Sequence, residues 1–355
     1  MGGSPQTATT PRRPLPKKKV LPPLPQDQEE PAEIRLLYRQ SVDKALDRAG
    51  LDTSAFGETQ KQIVRKAQEE MDRLQRQGAL TISRKDQIVA KACRAVLDTY
   101  EGGINYIFYS TKGNLLERMI GESSNFTKQA EWRKKQVEAG NGLAIMKPTD
   151  TRAGFAAAWN SMASGDAIWF GDYKVEITPP KAYIFTHSNG HSLILQDGSD
   201  TEAFSVDGRS KGADGNGPQT VGILEPIVAG ESGRELQQKQ LQQIALMSCN
   251  SGHLDIMQDG KNIAQQFARL GNCETLGYDG NLGFGFGEAI SSLLAISSLM
   301  GISPQTGMAP DDIAFPRRSH EQKSFYDNAP SGRQPEGLVA YYPDGTYQIR
   351  GGWEP

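Results

Sequence analysis

The spacing of apolar residues divides the chain into a helical first part and a strand-rich second part. Between residues 34 and 101, apolar side chains recur every three or four positions, the period of an amphipathic helix. Ser83 and Asp86 have the spacing of a helix start before the last of these stripes. The pattern predicts three helices here and a fourth over 113–139. The stripes are Ile34, Tyr38, Val42, Ala45 and Ala49; Ile63, Ala67, Met71 and Leu74; and Val89, Cys93, Val96 and Tyr100.

From Asn141 onwards, short apolar runs alternate with helical patterns. This alternation predicts an α/β fold, a mostly parallel sheet with helices on its flanks, preceded by an all-α region. The glycine-rich stretch 197–218 is typical of a loop or hairpin at the strand edge, and a further hairpin is expected over 338–350. The predicted strands are 143–146, 182–185, 244–247 and 274–277, and the predicted helices are 153–162, 233–243, 258–270 and 288–300.

Composition separates off the first 33 residues. Eight of the 20 prolines lie within 1–31, and the stretch is basic, with no acidic residue before Asp27. Such a segment buries too little apolar surface to fold, so we expect a disordered arm over 1–33. A ligand for SH3-type domains and a leader for export are alternatives, and the apolar core of a secretory signal peptide is missing. We therefore expect a helical docking or regulatory domain over 34–140 and an α/β domain over 141–355.

Charge and hydropathy exclude several classes of function. The net charge of −3 gives no overall reason to expect a nucleic-acid partner. The mean hydropathy of −0.54 and the lack of a long apolar run argue against a membrane span. Three cysteines are too few for a disulfide framework, so we expect them to be reduced.

Two of the predicted strands end on residues with chemical potential. The run from Ala182 ends at His187 and turns through Ser-Asn-Gly, and the run from Ile244 ends at Cys249 and turns through Asn-Ser-Gly. If the strands are neighbours, His187 and Cys249 emerge together at the carboxyl edge, where open α/β sheets bind ligands. A thiol beside an imidazole can ionise and act as a nucleophile, and backbone amides of the turns could then receive an oxyanion.

These segments resemble the caspase-like, clan CD, cysteine peptidase fold, most closely its domains in bacterial toxins and secreted effectors. The resemblance covers roughly 142–355, and its motifs are the His187 and Cys249 segments, LMSCNSG at 246–252 with the later helix IAQQFA at 263–268, FAAAWNSM at 155–162 and GWEP at 352–355. It implies a cysteine endopeptidase, a thiol protease that needs no cofactor or metal and cleaves a protein substrate. It also implies a virulence protein that leaves the bacterial cytoplasm and is secreted or delivered into a target cell.

The resemblance assigns His187 as the proton carrier and Cys249 as the nucleophile. It assigns the oxyanion site to Gly190 and to the Cys249 amide. The family has glycine directly after the histidine, whereas Ser188 and Asn189 intervene here. This departure favours one alternative function, a non-catalytic binding or scaffold protein. A second alternative keeps the Cys-His pair but acts as an acyltransferase or deamidase.

Nearby residues offer alternative or additional roles. His191 competes with His187 but opens the next apolar run at 192–195, and His253 follows the cysteine turn and could bind substrate. Asp255 and Asp279 could form a pocket for a basic substrate residue. Cys249 and His253 are four residues apart and could supply two of the four ligands of a zinc site. The sequence has no second Cys/His pair at ligand spacing to supply the other two. Cys93 and Cys273 are expected to pack in the core.

Overall fold

A seven-stranded sheet forms the centre of the molecule. The computed structural model describes residues 40, 42–49, 51, 53–80, 84–112, 125–196, 201–211, 218–254, 262–283, 315–317 and 336–350. Residues 42–48 are helical. The helices with defined bounds are α1 (Thr53–Arg76), α2 (Lys85–Leu97), α3 (Asn125–Ala139), α4 (Arg152–Ser161) and α5 (Ile263–Gly271). The strands of the central sheet are β1 (Ile104–Tyr109), β2 (Leu143–Pro148), β5 (Lys181–Phe185), β13 (Gln243–Met247), β14 (Glu274–Asp279), β17 (Gly337–Tyr341) and β18 (Tyr347–Ile349).

The strand order of this sheet is β18-β17-β14-β13-β5-β1-β2. The five strands from β14 to β2 are parallel, and β17 and β18 are antiparallel additions at one edge. The chain runs outward from β1 to β2, then crosses back to β5 and continues through β13 to β14. The order therefore reverses between β1 and β5, and in such sheets ligands bind outside the carboxyl ends at this point.

The two faces of the sheet carry separate hydrophobic clusters. One face, here called the broad face, buries Tyr106, Phe108, Ile184, Leu246 and Tyr341 together with residues of α1, α2, α4 and α5. The opposite face, here called the α3 face, buries alternate residues of the same strands against Phe126 and Ala130 of α3. Its strand residues are Ile107, Ala144, Phe185, Ala245, Met247, Leu276, Tyr278, Leu338 and Ala340. Alternate side chains of a strand point to opposite faces, so cluster membership shows which face a position lies on.

A second, five-stranded sheet is inserted between β5 and β13, in the order β12-β11-β8-β7-β6. Its strands are β6 (His187–Ser188), β7 (Ser192–Ile194), β8 (Ala203–Ser205), β11 (Gly222–Pro226) and β12 (Arg234–Leu236). Helix α4 joins the two sheets: the ring of Phe155 lies 5.3 Å from Phe108 of β1 and 5.5 Å from Phe204 of β8. Three two-stranded ribbons complete the described strands: β3 (Ala167–Phe170) with β4 (Tyr173–Glu176), β9 (Arg209–Lys211) with β10 (Pro218–Thr220), and β15 (Asn281–Gly283) with β16 (Phe315–Arg317).

The α/β fold class and the mostly parallel sheet are confirmed. Strands form at all four predicted positions, as does the hairpin near the carboxyl terminus. The described residues of the helical stripes are helical except Ala49 and Tyr100, which lie just beyond helix ends. The helix predicted over 233–243 is wrong, because Arg234–Leu236 pairs with β11 and Gln243 begins β13. Of the stretch 197–218, expected to be a loop or hairpin, the described residues include β8 of the second sheet and β9, which forms a ribbon with β10 at the end of the stretch.

The boundary predicted at residue 140 does not separate the helices from the sheet. Strand β1 lies inside the predicted helical region, yet it pairs with both β2 and β5 near the middle of the sheet. Buried residues of α1 and α2 also belong to the broad-face cluster. The sequence of β1, Ile-Asn-Tyr-Ile-Phe-Tyr, is nearly continuously apolar, as expected for a strand buried on both faces. The arm 1–33, the stretch 113–124, the predicted helix 288–300 and the motif at 352–355 lie outside the described residues.

Candidate active site

Strands β5 and β13 bring His187 and Cys249 to the same edge of the sheet. The two strands are parallel neighbours, and their register ends with Phe185 opposite Met247. His187 lies two residues after Phe185, and Cys249 lies two residues after Met247. Because neighbouring strands lie about 4.8 Å apart, the two residues leave the sheet side by side at its carboxyl edge.

The side chains of His187 and Cys249 also lie on the same face. Phe185 and Met247 belong to the α3-face cluster, and the period of two predicts the same face for the residues two positions later. Cys249, which is half-buried, packs against this cluster. The ring of His187 lies 4.7 Å from the ring of Phe126 on α3, at an interplanar angle of 84°. The thiol and the imidazole therefore lie at the same edge of the sheet and against the same hydrophobic cluster.

The turn that carries Cys249 is fixed mainly by β14. The Asn250 amide donates to Gly280 O at 2.7 Å, and the Gly252 amide donates to Tyr278 O at 3.0 Å. Asn250 has φ 55°, a left-handed conformation that asparagine tolerates better than most residues. A Cβ on Gly252 would lie 2.8 Å from the carbonyl carbon of Gly277, so only glycine fits this approach. The turn is thus a rigid support for the cysteine.

The chain that carries His187 leaves the central sheet. Thr186 Oγ1 donates to the carbonyl of Ile194, and His187 then pairs with Ile194 in the second sheet. The next residue, Ser188, is buried, and its hydroxyl donates to the carbonyl of Cys249. The two residues between His187 and Gly190 therefore form part of a hairpin that contacts the cysteine turn.

Gly190 lies in the tight turn between β6 and β7. It has φ 83°, which favours glycine. The side-chain oxygen of Asn189 accepts from the amides of His191 and Ser192 at 3.1 and 2.7 Å, and Gly190 O accepts from the Ile263 amide at 3.3 Å. The turn is therefore packed on the start of α5. The roles of the Gly190 and Cys249 amides in an oxyanion site stay predictions.

His253 and Asp279 form a buried pair with each other. The Nδ1 atom of His253 lies 2.9 Å from Asp279 Oδ1, and the side chains are 10% and 1% exposed. Asp279 also accepts from the amides of Leu254 at 3.3 Å and Glu336 at 3.0 Å. Because Tyr278 points to the α3 face, Asp279 points to the broad face, away from the side of Cys249. This geometry supports an anchoring role for both residues, in contrast to the substrate pocket expected from sequence; Asp255 lies outside the described residues.

His191 is held by another carboxylate. Its Nε2 atom lies 2.8 Å from Asp207 Oδ1, which also accepts from Ser205 Oγ and from the Arg209 amide. Burial raises the pKa of Asp207, but the proximity of His191 and the bonds to Arg209, His191 and Ser205 lower it more, so the net pKa lies below its ordinary value. These contacts tie the β6–β7 turn to the end of β8.

The three cysteines differ in burial. Cys93 and Cys273 are buried, and burial raises the pKa of each thiol to about 12. Cys249 is the half-buried one of the three. Within the described part of the chain, no group of three or more His, Cys, Asp or Glu side chains is arranged to hold a metal ion. In the same ranges, no helix is long and apolar enough to cross a membrane.

Two contacts of the site were not predicted from the sequence. Phe126 reaches His187 from α3, and nothing in the helical pattern of 113–139 marks it as different from a core residue. In the sequence, Ser188 is only a residue that departs from the caspase-like motif. Its bond to Cys249 depends on how the two turns are placed in space, so the sequence does not predict it.

Comparisons of the chain with protein-family models, with curated proteins and with solved structures find no match. What the site can do is therefore inferred from its own residues.

Proposed function

We propose that the protein is a cysteine peptidase of the caspase-like type, in which Cys249 is the nucleophile and His187 carries the proton. One observation supports this proposal more than any other: His187 and Cys249 follow the same register pair of two parallel strands and face the same side of the sheet. The carboxyl edge next to the reversal of strand order is also where this class of sheet binds ligands.

The chemistry begins with transfer of the Cys249 thiol proton to the imidazole of His187. The thiolate attacks the carbonyl carbon of a substrate peptide bond and forms a tetrahedral oxyanion, which the amides of Gly190 and Cys249 stabilise. The intermediate collapses as His187 returns its proton to the departing amine, leaving a thioester on Cys249. Water then attacks the thioester while His187 takes a proton from it. As the resulting intermediate collapses, the carboxylic acid product leaves and His187 returns the proton to the Cys249 sulfur, which restores the free thiol.

The surroundings of the pair are suited to this cycle. The cysteine turn is fixed by β14, so the nucleophile is held in place before substrate binds. The other two thiols are buried with pKa values raised to about 12, so they do not compete as nucleophiles near neutral pH. The role as an exported bacterial effector or toxin comes from the family resemblance alone and is part of the same proposal.

Mass spectrometry of a protein extract treated with the full chain tests the proposal. We expect new peptide termini with the wild type and none with Cys249→Ala, and a loss of about 10²- to 10⁴-fold in cleavage rate with His187→Ala, the typical size of general acid–base catalysis. Cys273→Ala, which removes a buried thiol, is the matched control and keeps full activity.

Two results would contradict the proposal. Cleavage by Cys249→Ala at the wild-type rate would exclude the thiol as nucleophile. Mass shifts of about +1 Da on intact peptides with no new termini would show that the same pair deamidates instead of cleaving. Circular dichroism of each variant checks that the fold is kept.

A further inference from the structure

The hydrogen-bond ladder between β5 and β13 stops before the two reactive residues. Its last register pair is Phe185 with Met247, and from Thr186 onwards the chain turns into the second sheet. His187 and Ser188 then pair with Ile194 and Leu193 of β7. The relative position of His187 and Cys249 therefore depends on contacts other than the ladder of the central sheet.

We propose that Ser188 is a positioning residue that holds His187 and Cys249 in register beyond the end of their paired strands. This inference rests on the proposed Cys249–His187 chemistry. Ser188 follows His187 directly, is 9% exposed, and donates its hydroxyl to the carbonyl of Cys249. The Ser188 side chain thus connects the histidine-bearing strand directly to the backbone of the nucleophile.

The bond acts on a peptide group that is held from both sides. The carbonyl of Cys249 accepts from Ser188, and the amide of the same peptide unit, Asn250 N–H, donates to Gly280 O at 2.7 Å. A planar peptide held at its oxygen and at its nitrogen cannot rotate without breaking one of the two bonds. Since this peptide begins at Cys249, holding it also restricts the direction of the cysteine side chain.

Removal of the hydroxyl frees one side of that peptide. The turn stays attached to β14 and β6 stays attached to β7, and both turns remain bonded to the start of α5 through Ser251 O and Gly190 O. The direct bond from Ser188 to the Cys249 carbonyl is lost, so the positions of His187 and Cys249 are less closely coupled. A shift of about 1 Å between reacting groups can reduce a rate about 10²-fold, because the productive geometry is rarely reached. Glycine, the residue that the family has after its histidine, has no side chain to make this bond. Ser188 is therefore a feature of this chain's own site.

The test follows alkylation of Cys249 by iodoacetamide as a function of pH, with the modified residue mapped by mass spectrometry. It uses the full chain and needs no substrate. A thiolate paired with imidazolium reacts at a pH below that of an ordinary thiol, whose pKa is about 8.5. The variants are Ser188→Ala, Ser188→Gly and Ser188→Thr, with His187→Ala as the reference for a broken pair. Ser205→Ala is the matched control, since it removes a buried hydroxyl of the second sheet that donates to Asp207.

We expect the alkylation midpoint of Ser188→Ala and Ser188→Gly to rise by about one pH unit towards that of His187→Ala, which corresponds to about tenfold slower reaction below the midpoint. Ser188→Thr keeps the hydroxyl and is expected to retain the wild-type midpoint, as is Ser205→Ala. Thermal melting shows which variants are folded. If Ser188→Ala and Ser188→Gly do not fold, Ser188→Thr decides: a displaced midpoint contradicts the role of the hydroxyl, and an unchanged one supports it.

The outcomes separate this inference from the proposed function. If His187→Ala raises the midpoint and Ser188→Ala does not, the pair exists and the role of Ser188 is wrong. If the wild-type midpoint already lies near pH 8.5 and His187→Ala leaves it there, the pair itself is absent and the proposed function fails with it.

Discussion

Two histidines can be compared as partners of Cys249, and the sheet places them on opposite sides. His253 is four residues away in sequence, but it is directed to Asp279, whose side chain points to the broad face. His187 is distant in sequence, yet strand register and its contact with Phe126 place it at the same edge and on the same face as the cysteine. In a parallel sheet, position in the ladder is therefore a better guide to a reactive pair than closeness in sequence.

The two histidines also differ in what surrounds their rings. His253 is bound at Nδ1 by a carboxylate that accepts from two further backbone amides, an arrangement that joins the cysteine turn to the ends of β14 and β17. The His187 ring packs edge-on against Phe126, in a half-buried position. The first environment is suited to anchoring a loop, and the second holds a half-buried ring against the cluster that Cys249 also contacts.

The largest effect that follows from this contrast is the loss of stability in Asp279→Ala. Removal of the carboxylate takes away the acceptor that His253 Nδ1 and two backbone amides share, which we expect to lower the free energy of unfolding by about 3 kcal/mol or more. The pH midpoint of Cys249 alkylation should equal that of the wild type, since Cys249 and His187 lie on the face of the sheet opposite to Asp279. Chemical denaturation measures the first quantity.

Asp207→Ala is the matched control for that variant. It breaks the other histidine–carboxylate pair, in which Asp207 is 44% exposed, so the expected cost is below about 1 kcal/mol. Equal losses in the two variants, or a raised alkylation midpoint in Asp279→Ala, would contradict the assignment of His253 as an anchor.

A smaller effect is expected for Phe126→Leu, which keeps an apolar side chain but removes the ring next to His187. Aromatic pairs contribute about 1 kcal/mol, so we expect about a fivefold decrease in Cys249 reactivity at low pH. Phe155→Leu alters an aromatic cluster on the broad face and is the control: its cost should be in stability alone. If both variants change Cys249 reactivity equally, Phe126 has no specific effect on His187.

Much of the fold could be predicted because its strands are short apolar runs with clear limits. The runs ending at His187 and Cys249 were found in this way, and so were β2 and β14. Strand β1 was missed because its apolar run lies between two helical patterns. The helix expected over 233–243 was wrong, since its Glu, Leu, Gln and Lys residues favour helices locally while pairing with β11 outweighs that preference.

The site was predictable only at the level of its two central residues. A strand that ends in His or Cys before a glycine turn is visible in the sequence. The two strands are neighbours in the sheet, as expected. Contacts such as Ser188 to Cys249 and Phe126 to His187 join residues of different elements, and no local pattern records them. The pairing of His253 with Asp279 likewise depends on strand order.

The most direct test of the Cys249–His187 pair is the ionisation of Cys249, followed as thiolate absorbance of the wild type minus that of Cys249→Ser. Cys93 and Cys273, with pKa values raised to about 12, remain protonated between about pH 4 and pH 10 and cancel in the difference. The proposed pair predicts a transition clearly below pH 8.5 that moves up towards this value in the His187→Ala background. A transition at the same pH in both backgrounds would contradict it.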